Sequence, residues 1–557
     1  MDAERLVVSV DGAEVEVARD ATLLEACRAA GVMVPTLCHL PGLEPESSCG
    51  VCVVEVIGAR NLERACSTRV AEGMRVVTKS RRVLEARRTA VELILANHPT
   101  DCLSCSRSDA CRLRSLASLV GTRAGRFPRT RPASGRVDRG PSMVFDRDRC
   151  VLCGCCVTVC RDLQSVSALD FAGRGLDYRV AAFMDGDLAG SSCVECGQCT
   201  LVCPTGALSE LDQTAGAWAM LREPDAFPFV MAAPGFSAAL GEALGLPDGA
   251  LSVGSMVAAL KRLGFTRVFD TGFAADVVLV EERAELDARR AAGDDRPLLS
   301  SCSPAWVRFA RTFAPGVLPL LSTCKSPQQV MGALVKTWYA ECHGIDPARI
   351  RLVSAVPCVA KKSEALEPGG ASAAAWWTSA RGAAPAAWRD VDLALTTREL
   401  AAMIRSAGLR PERLPAEAFD EPFSSGSRAG LLIGTSGGLA GAFPGASGSP
   451  RIAPVRTTAV HGLAAARTLL DAMASGPVPY DFIEVMACPG GCAAGGGQPP
   501  PEDMDAASSR SARLIASASG IERTGPAPGG VGMDVYDGFI GAPLSATALA
   551  LLHRPGV

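Results

Sequence analysis

Two nearly identical cysteine runs constrain the fold of this chain more than any other feature of its sequence. The segment DRCVLCGCCVTVC carries Cys150, Cys153, Cys156 and Cys160, and SSCVECGQCTLVCPTG carries Cys193, Cys196, Cys199 and Cys203. Each is a CxxCxxCxxxC run. Where the run occurs twice, its first three cysteines hold one [4Fe–4S] cube and its fourth reaches the other cube. The spacing therefore predicts a small domain built around two [4Fe–4S] clusters rather than a pair of zinc knuckles.

The other cysteines are clustered as well. The chain has 23 cysteines, and 17 of them precede residue 204. The first residues, MDAERLVVSVDGAEVEV, contain neither the basic nor the apolar region of a secretory signal, so we expect a cytoplasmic protein with reduced thiols. Thiolates at this density in a reducing compartment typically bind zinc or iron–sulfur clusters.

Two further ligand sets lie upstream of the paired runs. The first is Cys38, Cys49, Cys52 and Cys66, which fits a [2Fe–2S] site although its spacing departs from that of plant ferredoxins. The second lies in NHPTDCLSCSRSDACR and consists of His98, Cys102, Cys105 and Cys111. A histidine just before a CxxC and a further cysteine is predicted to be the fourth ligand of a [4Fe–4S] cluster. One [2Fe–2S] and three [4Fe–4S] clusters would form a wire for electrons.

Composition and charge exclude several classes of partner. The chain has 557 residues, 48% of them hydrophobic, which suits several domains with cores of their own. A net charge of −3 gives no reason to expect nucleic acid or an anionic membrane surface as a partner. No apolar run is long enough to span a bilayer, so we expect no membrane insertion.

The pattern of apolar residues changes along the chain. An alternating start predicts a mostly β domain with one helix around TLLEACRAAG. A basic helical segment, SRRVLEARRTAVELILANH, and an Arg- and Pro-rich strap from Gly121 to Ser142 follow. After Asp212, the strands FPFVMAAPG, RVFDTG, VVLVEE, RLVSAVPC, VDLALTT and FIEVMACPG alternate with helical stretches, which predicts an α/β domain. The Ala-, Gly- and Ser-rich stretches near 369–388 and 493–520 are predicted to be loops. The predicted domains are 1–80, 81–124, 125–212 and 213–557.

Three cysteine segments of the α/β domain follow predicted strands. They are SSCSPAW with Cys302, AVPCVAKKSE with Cys358, and IEVMACPGGCAAGGGQP with Cys488 and Cys492. Open α/β sheets place their sites at strand ends, so these cysteines are able to converge on one further metal centre, whose metal the spacing does not define. Of the remaining thiols, Cys27, Cys324 and Cys342 are predicted to be buried, and Cys155 is an extra cysteine inside the first run that is predicted to bind no cluster.

A group of charged residues lies in VEERAELDARR. Glu282, Glu285 and Arg289 are spaced i, i+3 and i+7, which puts them on one helical face. By spacing alone, this pattern favours a solvated, charged face.

In the order of its motifs, the chain resembles the [FeFe] hydrogenases of clostridial type over essentially its full length. The loop MACPGGCAAGGGQP and the segment DLALTTREL match that family almost residue for residue, whereas the N-terminal half also resembles a subunit of respiratory NADH dehydrogenase. The resemblance implies an α/β catalytic domain of iron hydrogenase fold, with two lobes and mixed sheets, preceded by α+β ferredoxin-like domains. It also implies an H-cluster, in which a [4Fe–4S] cube is joined through a cysteine sulfur to a diiron unit that carries CO, cyanide and a bridging dithiolate amine.

The resemblance assigns roles to single residues at matched positions. Cys358 and Cys488 would ligate the cube, and Cys492 would bridge the cube and the diiron unit. Lys361 would donate hydrogen bonds to a cyanide, since a buried anionic ligand needs a charged donor. The residues matching the diiron pocket are Pro234, Gln328 and Met486. The residues matching the family's proton relay are Arg289, Glu285, Ser322 and Glu282, with the thiol of Cys302 at the inner end.

One position departs from the family pattern. The family has two adjacent cysteines before the Pro, a proton-donating thiol followed by the fourth ligand of the cube, and here Ser303 takes the ligand position. A serine alkoxide is a harder ligand with a far higher pKa than a thiolate, so an Fe–O bond is disfavoured. Three arrangements stay open: Ser303 ligates, Cys302 turns inward and ligates, or the cube is labile and the protein is inactive or sensory.

The predicted function is that of an iron hydrogenase, which interconverts protons and electrons with dihydrogen. Electrons would pass between the cluster wire and a ferredoxin or flavodoxin, and hydrogenase maturation proteins are expected as further partners. One alternative is a sensory or inactive hydrogenase-like protein, which Ser303 supports. Another is an electron-transfer subunit of a complex with NAD-linked subunits, which the N-terminal half supports.

Overall fold

The computed structural model describes residues 5–183, 186–382, 388–443, 455–501, 505–522, 525 and 535–554. Contacts within the chain divide it into two compact units. The first consists of Met1–Leu163, Ser167–Cys193 and Gln198–Ser209, and the second consists of Gln164–Val166, Val194–Gly197 and Glu210–Val557. Among the residues described, no helix is both long and apolar enough to cross a lipid bilayer.

The first unit begins with a five-stranded sheet in the order β2-β1-β5-β3-β4. Its strands are β1 (Arg5–Val10), β2 (Ala13–Ala18), β3 (Val53–Val56), β4 (Leu62–Arg64) and β5 (Arg75–Val77). The predicted helix in TLLEACRAAG is α1 (Leu23–Ala29). A capping box opens it, because Thr22 and Glu25 each accept the other's backbone N–H. Leu23 and Leu24 of α1 pack with Val8 and Val10 of β1 to form the core of this sheet.

Short elements make up the rest of the first unit. They are α2 (Arg81–Ala96), α3 (Arg112–Leu119), β6 (Val137–Arg139), β7 (Met143–Asp146), α4 (Cys155–Thr158), β8 (Leu169–Ala172), β9 (Arg179–Ala182), α5 (Gln198–Val202) and β10 (Leu208–Glu210). Helix α2 confirms the predicted basic helix. The strap from Gly121 to Ser142 contains one short strand, β6, and is held by polar contacts such as Arg126 Nη1 to Glu92 Oε2 at 2.7 Å.

The second unit contains two sheets with parallel pairings. Their strands are β11 (Phe227–Ala232), β12 (Arg267–Asp270), β13 (Leu298–Leu299), β14 (Ile350–Val356), β15 (Leu393–Thr396), β16 (Thr457–His461) and β17 (Phe482–Met486). One sheet has the order β12-β11-β14-β15 and the other has the order β13-β17-β16. Strand β11 reads FPFVMA and is buried along most of its length, as is typical of a parallel strand that is covered on both faces.

Helices pack around these sheets, which confirms the predicted α/β alternation. They are α6 (Thr214–Leu221), α7 (Pro234–Ala243), α8 (Val253–Leu263), α9 (Thr271–Ala291), α10 (Pro304–Phe313), α11 (Pro327–Leu334), α12 (Ala340–Cys342), α13 (Ala360–Glu364), α14 (Ser372–Arg381), α15 (Thr397–Ser406), α16 (Arg428–Leu432), α17 (Gly438–Ala442), α18 (Leu463–Ser475), α19 (Ala506–Ser519) and α20 (Ala546–Leu552). The segment VVLVEE, predicted to be a strand, lies inside α9. Its consecutive residues Val277, Val278 and Leu279 are all buried, and a short apolar run of this kind suits a helix surrounded by protein as well as it suits a strand.

Two other predictions are wrong. The stretches predicted to be loops contain helices α14 and α19, because alanine, which is abundant there, has the highest helix propensity. Within those stretches, residues 383–387 and 502–504 lie outside the described residues. Cys342 is exposed at the end of α12, whereas Cys27 and Cys324 are buried as predicted.

Candidate functional site

Loops at the carboxyl ends of strands from both sheets of the second unit surround one cavity, which we call the central cavity. Its volume is about 110 Å³, several times the space that one water molecule needs. It is bordered by the loops after β11, β13, β14 and β17, where α/β sheets place their sites. Its lining includes the predicted residues Pro234, Cys302, Ser303, Gln328, Lys361, Cys358, Met486, Cys488 and Cys492.

Cys488 and Cys492 reach the central cavity through a tight turn after β17. Gly490 and Gly491 in this turn have φ angles of 86° and 74°, which glycine adopts readily. A Cβ atom on Gly491 would lie 2.8 Å from the backbone nitrogen of Ser436. The CPGGC sequence therefore allows both thiols to line the same cavity.

Cys302 and Ser303 follow β13 and face different neighbours. Ser303 Oγ accepts a hydrogen bond from the N–H of Ala487 at 3.4 Å, which places the hydroxyl beside the Cys488 loop. Cys302 packs against a buried cluster that includes Leu279 and Leu286 of α9, the helix that also carries Glu282. Ser303 therefore lies beside the loop that carries Cys488. Cys302 lies beside α9, the helix that carries Glu282.

Lys361 brings a positive charge to the cavity wall. Its Nζ donates to Glu364 Oε2 at 2.8 Å and to the carbonyl oxygen of Cys302 at 3.2 Å. An ammonium group has three donors, so one stays available to the cavity. Gln328 Nε2 donates to the carbonyl oxygen of Lys361, while the buried Gln328 Oε1 has no hydrogen-bond partner among the described residues. Because buried acceptors are normally paired, this orphaned oxygen fits a polar group bound in the cavity.

A line of polar side chains runs from the cavity along α9. Glu282 is hydrogen-bonded to Ser322, and Ser322 Oγ donates to Glu285 Oε2 at 2.8 Å. Arg289 Nη2 then donates to Glu285 Oε1 at 2.9 Å. Glu282 is 0% exposed, whereas the side chains of Glu285 and Arg289 are 10% and 16% exposed. The predicted helical face exists, but it is a buried line with one end near solvent and not a solvated face.

Burial keeps the inner members of this line protonated. Burial, reinforced by the charge of Glu285, raises the pKa of Glu282 to about 8. Burial also raises the pKa of the Cys302 thiol, and the nearby charge of Glu282 acts in the same direction. The buried Glu282 Oε2 has no hydrogen-bond partner among the described residues. At neutral pH both groups therefore hold a proton that they can donate.

In the first unit, the four cysteines predicted for a [2Fe–2S] cluster form two close pairs. The Sγ atoms of Cys38 and Cys49 are 3.3 Å apart, and those of Cys52 and Cys66 are 3.4 Å apart. Two thiolates on one tetrahedral metal with bonds of about 2.3 Å would lie roughly 3.8 Å apart. Each pair therefore suits one iron.

The residues around His98 fit a second cluster of the first unit. His98 Nδ1 is buried and has no hydrogen-bond partner in the described part of the chain, which leaves it free to bind a metal. Burial raises the pKa of the Cys111 thiol, and the charges of Cys105 and Cys102 act in the same direction. Gly206 leaves room for Cys105, because a Cβ there would lie 2.8 Å from its sulfur.

The paired runs are interleaved. One small cavity of the first unit is lined by cysteines of both runs, namely Cys150, Cys153, Cys156 and Cys203. Cys160 and Cys193 are within electrostatic range of Cys199, whereas Cys196 belongs to the segment grouped with the second unit and lines the central cavity. Nowhere in the described ranges do three His, Cys, Asp or Glu donors converge on a single-ion site. This is expected where the irons and sulfides of a cluster separate the protein ligands.

Three residues close to the site were missed by sequence reasoning. Glu484 lies on β17 and accepts a hydrogen bond from Ala440 N–H at 2.7 Å, and burial raises its pKa to about 7. The signal that could have found it is a lone acidic residue in the buried strand FIEVM. His553 and Arg554 reach the relay and Glu364 from a distant part of the chain, and no local pattern marks them.

The chain matches four known families in succession. The family described as "Iron only hydrogenase large subunit, C-terminal domain" matches residues 227–496. Upstream, a "2Fe-2S iron-sulfur cluster binding domain" matches residues 3–81, an "NADH-ubiquinone oxidoreductase-G iron-sulfur binding region" matches 87–126, and a "4Fe-4S dicluster domain" matches 146–207.

Individual relatives are similar over nearly the whole chain. The chain is 38% identical to NADP-reducing hydrogenase subunit HndD of Solidesulfovibrio fructosivorans, over 98% of this chain and 98% of that protein. It is 30% identical to Iron hydrogenase 1 of Clostridium pasteurianum, over 98% and 99% of the two chains. A solved structure of [FeFe]-hydrogenase HydA1 from Chlamydomonas reinhardtii is similar with a TM-score of 0.54 and 30% identity, covering 62% of this chain and 99% of that chain.

Proposed function

The chain belongs to the iron-only, or [FeFe], hydrogenase family, and from that premise we propose how its residues divide the work of interconverting protons and electrons with dihydrogen. It is an oxidoreductase acting on hydrogen, with [2Fe–2S] and [4Fe–4S] domains ahead of the domain that carries the H-cluster. The observation that carries the proposal is the central cavity, which is lined by cysteines and by Lys361 and lies at the inner end of the row of polar residues along α9.

The lining of the central cavity fits an H-cluster. Cys358, Cys488 and Cys492 would hold the cube, and Ser303, on the cysteine side, would occupy its fourth position. The free donor of Lys361 suits a cyanide, and the residues proposed to enclose the diiron unit are Pro234, Gln328 and Met486. When bound, the H-cluster supplies the open iron at which hydrogen reacts, and the protein supplies orientation, donors and exclusion of water.

Protons would reach the cavity along α9. The Cys302 thiol donates a proton into the cavity, and Glu282 reprotonates it. Glu285 then resupplies Glu282 through the hydroxyl of Ser322, and Arg289 anchors Glu285 near solvent. Each step is a transfer between neighbouring groups, and such positioned acids typically contribute about 10²- to 10⁴-fold to a rate.

Electrons would enter through the first unit from a reduced ferredoxin or flavodoxin. Among the cysteines proposed as accessory-cluster ligands, Cys102 is the exposed one, so we propose its cluster as the entry point. We further propose four domains, 1–80, 81–124, 125–212 and 213–557, which correspond to the [2Fe–2S] cluster, the His98 cluster, the paired cubes and the H-cluster. Hydrogenase maturation proteins would install the diiron unit.

A second candidate is the hydrogen-reacting subunit of a larger NAD(P)-linked complex. It is favoured by the similarity to HndD, a subunit of an NADP-reducing hydrogenase, and by the NADH-ubiquinone oxidoreductase-G region over residues 87–126. In that case, electrons would come from a nicotinamide cofactor through companion subunits. The sensory alternative rests on Ser303.

Hydrogen evolution by the cluster-loaded chain separates these candidates. Turnover with reduced ferredoxin supports the first candidate, and turnover that requires NADPH together with companion subunits supports the second. A chain that binds the diiron unit but evolves no hydrogen with ferredoxin or with reduced methyl viologen would contradict both and favour a sensory role.

A further inference from the structure

Residues 553 and 554 approach the site from a direction that the cysteine loops do not use. Helix α20 ends at Leu552, and the chain then runs beside residues 323–325. Lys325 N–H donates to the carbonyl oxygen of Leu552, and Arg554 N–H donates to that of Thr323, both at 2.8 Å. This backbone pairing places two side chains, His553 and Arg554, next to the proton relay and the cavity wall.

Arg554 is connected to the cavity through a buried carboxylate. Its Nη2 donates to Glu364 Oε1 at 3.3 Å, and Glu364 Oε2 accepts from Lys361 Nζ at 2.8 Å. Glu364 is 2% exposed, so its negative charge requires nearby positive partners. Because Arg554 neutralises part of this charge, Lys361 does not have to do so alone and keeps one donor for the cavity.

His553 is connected to the relay from the other side. Its Nδ1 is 2.8 Å from Thr323 Oγ1, and its Nε2 is 3.1 Å from Glu281 Oε2. Thr323 N–H donates to both oxygens of Glu285, at 3.1 and 3.3 Å. Glu281 is itself fixed, because it accepts a hydrogen bond from Tyr536 Oη at 2.6 Å. The position of Thr323, and through it that of Glu285, therefore depends on the imidazole.

Two chains of contacts thus begin at consecutive residues and lead toward Cys302. One passes through Glu364 and Lys361 to the carbonyl oxygen of Cys302, and the other passes through Thr323 and the relay toward its thiol. We propose that Arg554 and His553 are positioning residues, Arg554 for Lys361 and His553 for Glu285. Neither side chain lines the central cavity. This inference rests on the roles proposed above for Lys361, Glu285 and Cys302.

The role of Arg554 in positioning Lys361 is tested by infrared spectroscopy of protein loaded with its clusters and a synthetic diiron unit. In Arg554→Met, Lys361 should be drawn toward Glu364, so a cyanide stretching band should shift from its wild-type position. Hydrogen evolution should fall about tenfold, as for a small misplacement of a positioned group. Arg554→Lys, which keeps the charge, should restore much of the band position. If Arg554→Met does not retain its clusters, Arg554→Gln carries the same prediction.

Loss of the positioning role of His553 should affect the rate and its solvent isotope effect rather than the infrared bands. In His553→Leu, the cyanide and CO bands should stay in place, but proton delivery should slow. Hydrogen evolution should fall about tenfold, and its solvent isotope effect should rise above that of the wild type. His553→Gln, whose amide can both donate and accept, should recover part of the rate.

Arg381→Met is the matched control, because Arg381 is paired with Glu341 at the surface of the second unit. It should change neither the bands nor the isotope effect. A wild type without cyanide bands would overturn the proposed site and this inference with it. If the wild type shows bands and the Arg554 and His553 variants reproduce its bands, rate and isotope effect, the positioning roles are overturned while the proposed site stands.

Discussion

At the scale of single residues, two adjacent residues, Cys302 and Ser303, line the central cavity in different surroundings. Ser303 lies beside the Cys488 loop, and Cys302 packs against α9, which carries Glu282. Of the three arrangements open from the sequence, this placement favours Ser303 at the cube and Cys302 in the relay. The resemblance to the family predicts a role for each position, although at Ser303 an oxygen stands where the family has a sulfur.

The Ser303 position should determine how firmly the catalytic cube is held. Ser303→Cys should raise the iron content attributable to this cube, because a thiolate binds iron better than an alkoxide. Ser303→Ala, which can provide no ligand, should lower it. Iron per chain and the electron paramagnetic resonance signal of the reduced cube report the difference. Equal occupancy in all three proteins would show that residue 303 is not a ligand.

Glu282 should give hydrogen evolution an alkaline limit. Its pKa of about 8 means that the donating, protonated form disappears as pH rises through 8, and the rate should fall in that range. Because folding raises this pKa from 4.5, the native state also loses stability as pH rises from about 4.5 toward 8, a loss that Glu282→Gln removes. Glu282→Gln should lower the rate by about 10²- to 10⁴-fold.

The measurement is a pH–rate profile of the loaded enzyme. The control is Asp287→Asn, on the same helix, whose carboxylate is paired with Arg283 away from the relay. A Glu282→Gln variant with the wild-type rate and the wild-type profile would exclude Glu282 from the proton path.

At the scale of elements, helix α13 carries two adjacent lysines with different tasks. Lys361 lines the cavity, whereas the fully buried Lys362 donates to Glu399 at 2.9 Å and to the carbonyl oxygen of Ala394 at 2.7 Å. Glu399 belongs to the capping box that opens α15, so Lys362 ties α13 to the start of α15.

Substitution should separate these tasks. Lys362→Met leaves Glu399 buried without its cationic partner and should destabilise the protein by about 3–5 kcal/mol. Lys361→Met leaves Glu364 with Arg554 as a cationic partner, so it should destabilise the protein less than Lys362→Met does, but it should shift the cyanide bands and slow turnover. A calorimetric scan and an infrared spectrum of each variant make the comparison. A stable Lys362→Met protein with altered bands would reverse the assignment.

The strands that lead to Cys358 and Cys488 could be predicted, because each of these cysteines follows a short apolar run. Helix α9 could not be predicted in full, since its first half reads as a strand and its second half reads as a charged helical face. Packing against the rest of the second unit determines that both halves are buried parts of one helix. Val277 and Val278 are enclosed as part of a helix, and Glu282 is enclosed although its spacing suits an exposed face.

At the scale of the whole molecule, the ligand sets proposed for the accessory clusters are local patterns that can be recognised from cysteine spacing. The contacts of His553 and Arg554 cannot, because they join residues far apart in the chain, as with Arg554 and Glu364. The same holds for Glu281 and Tyr536, whose contact depends on how α9 and the segment before α20 pack.

Electron transfer through the accessory clusters should be separable from the reaction at the H-cluster. Cys156→Ala removes a proposed ligand of the first cube, so turnover with reduced ferredoxin should largely disappear while the infrared bands of the H-cluster remain. Cys342→Ala is the matched control, because Cys342 is an exposed thiol of the second unit that lies outside the proposed ligand sets. Full ferredoxin-linked turnover in Cys156→Ala would show that electrons bypass this cube.

The most direct test of the central claim is an infrared spectrum and a hydrogen-evolution assay of two loaded proteins, the wild type and Cys302→Ala. The wild type should show CO and cyanide bands and evolve hydrogen. Cys302→Ala should keep those bands and lose nearly all hydrogen evolution, because its H-cluster is held without the last proton donor. A wild type without bands, or a Cys302→Ala protein that evolves hydrogen at the wild-type rate, would contradict the account.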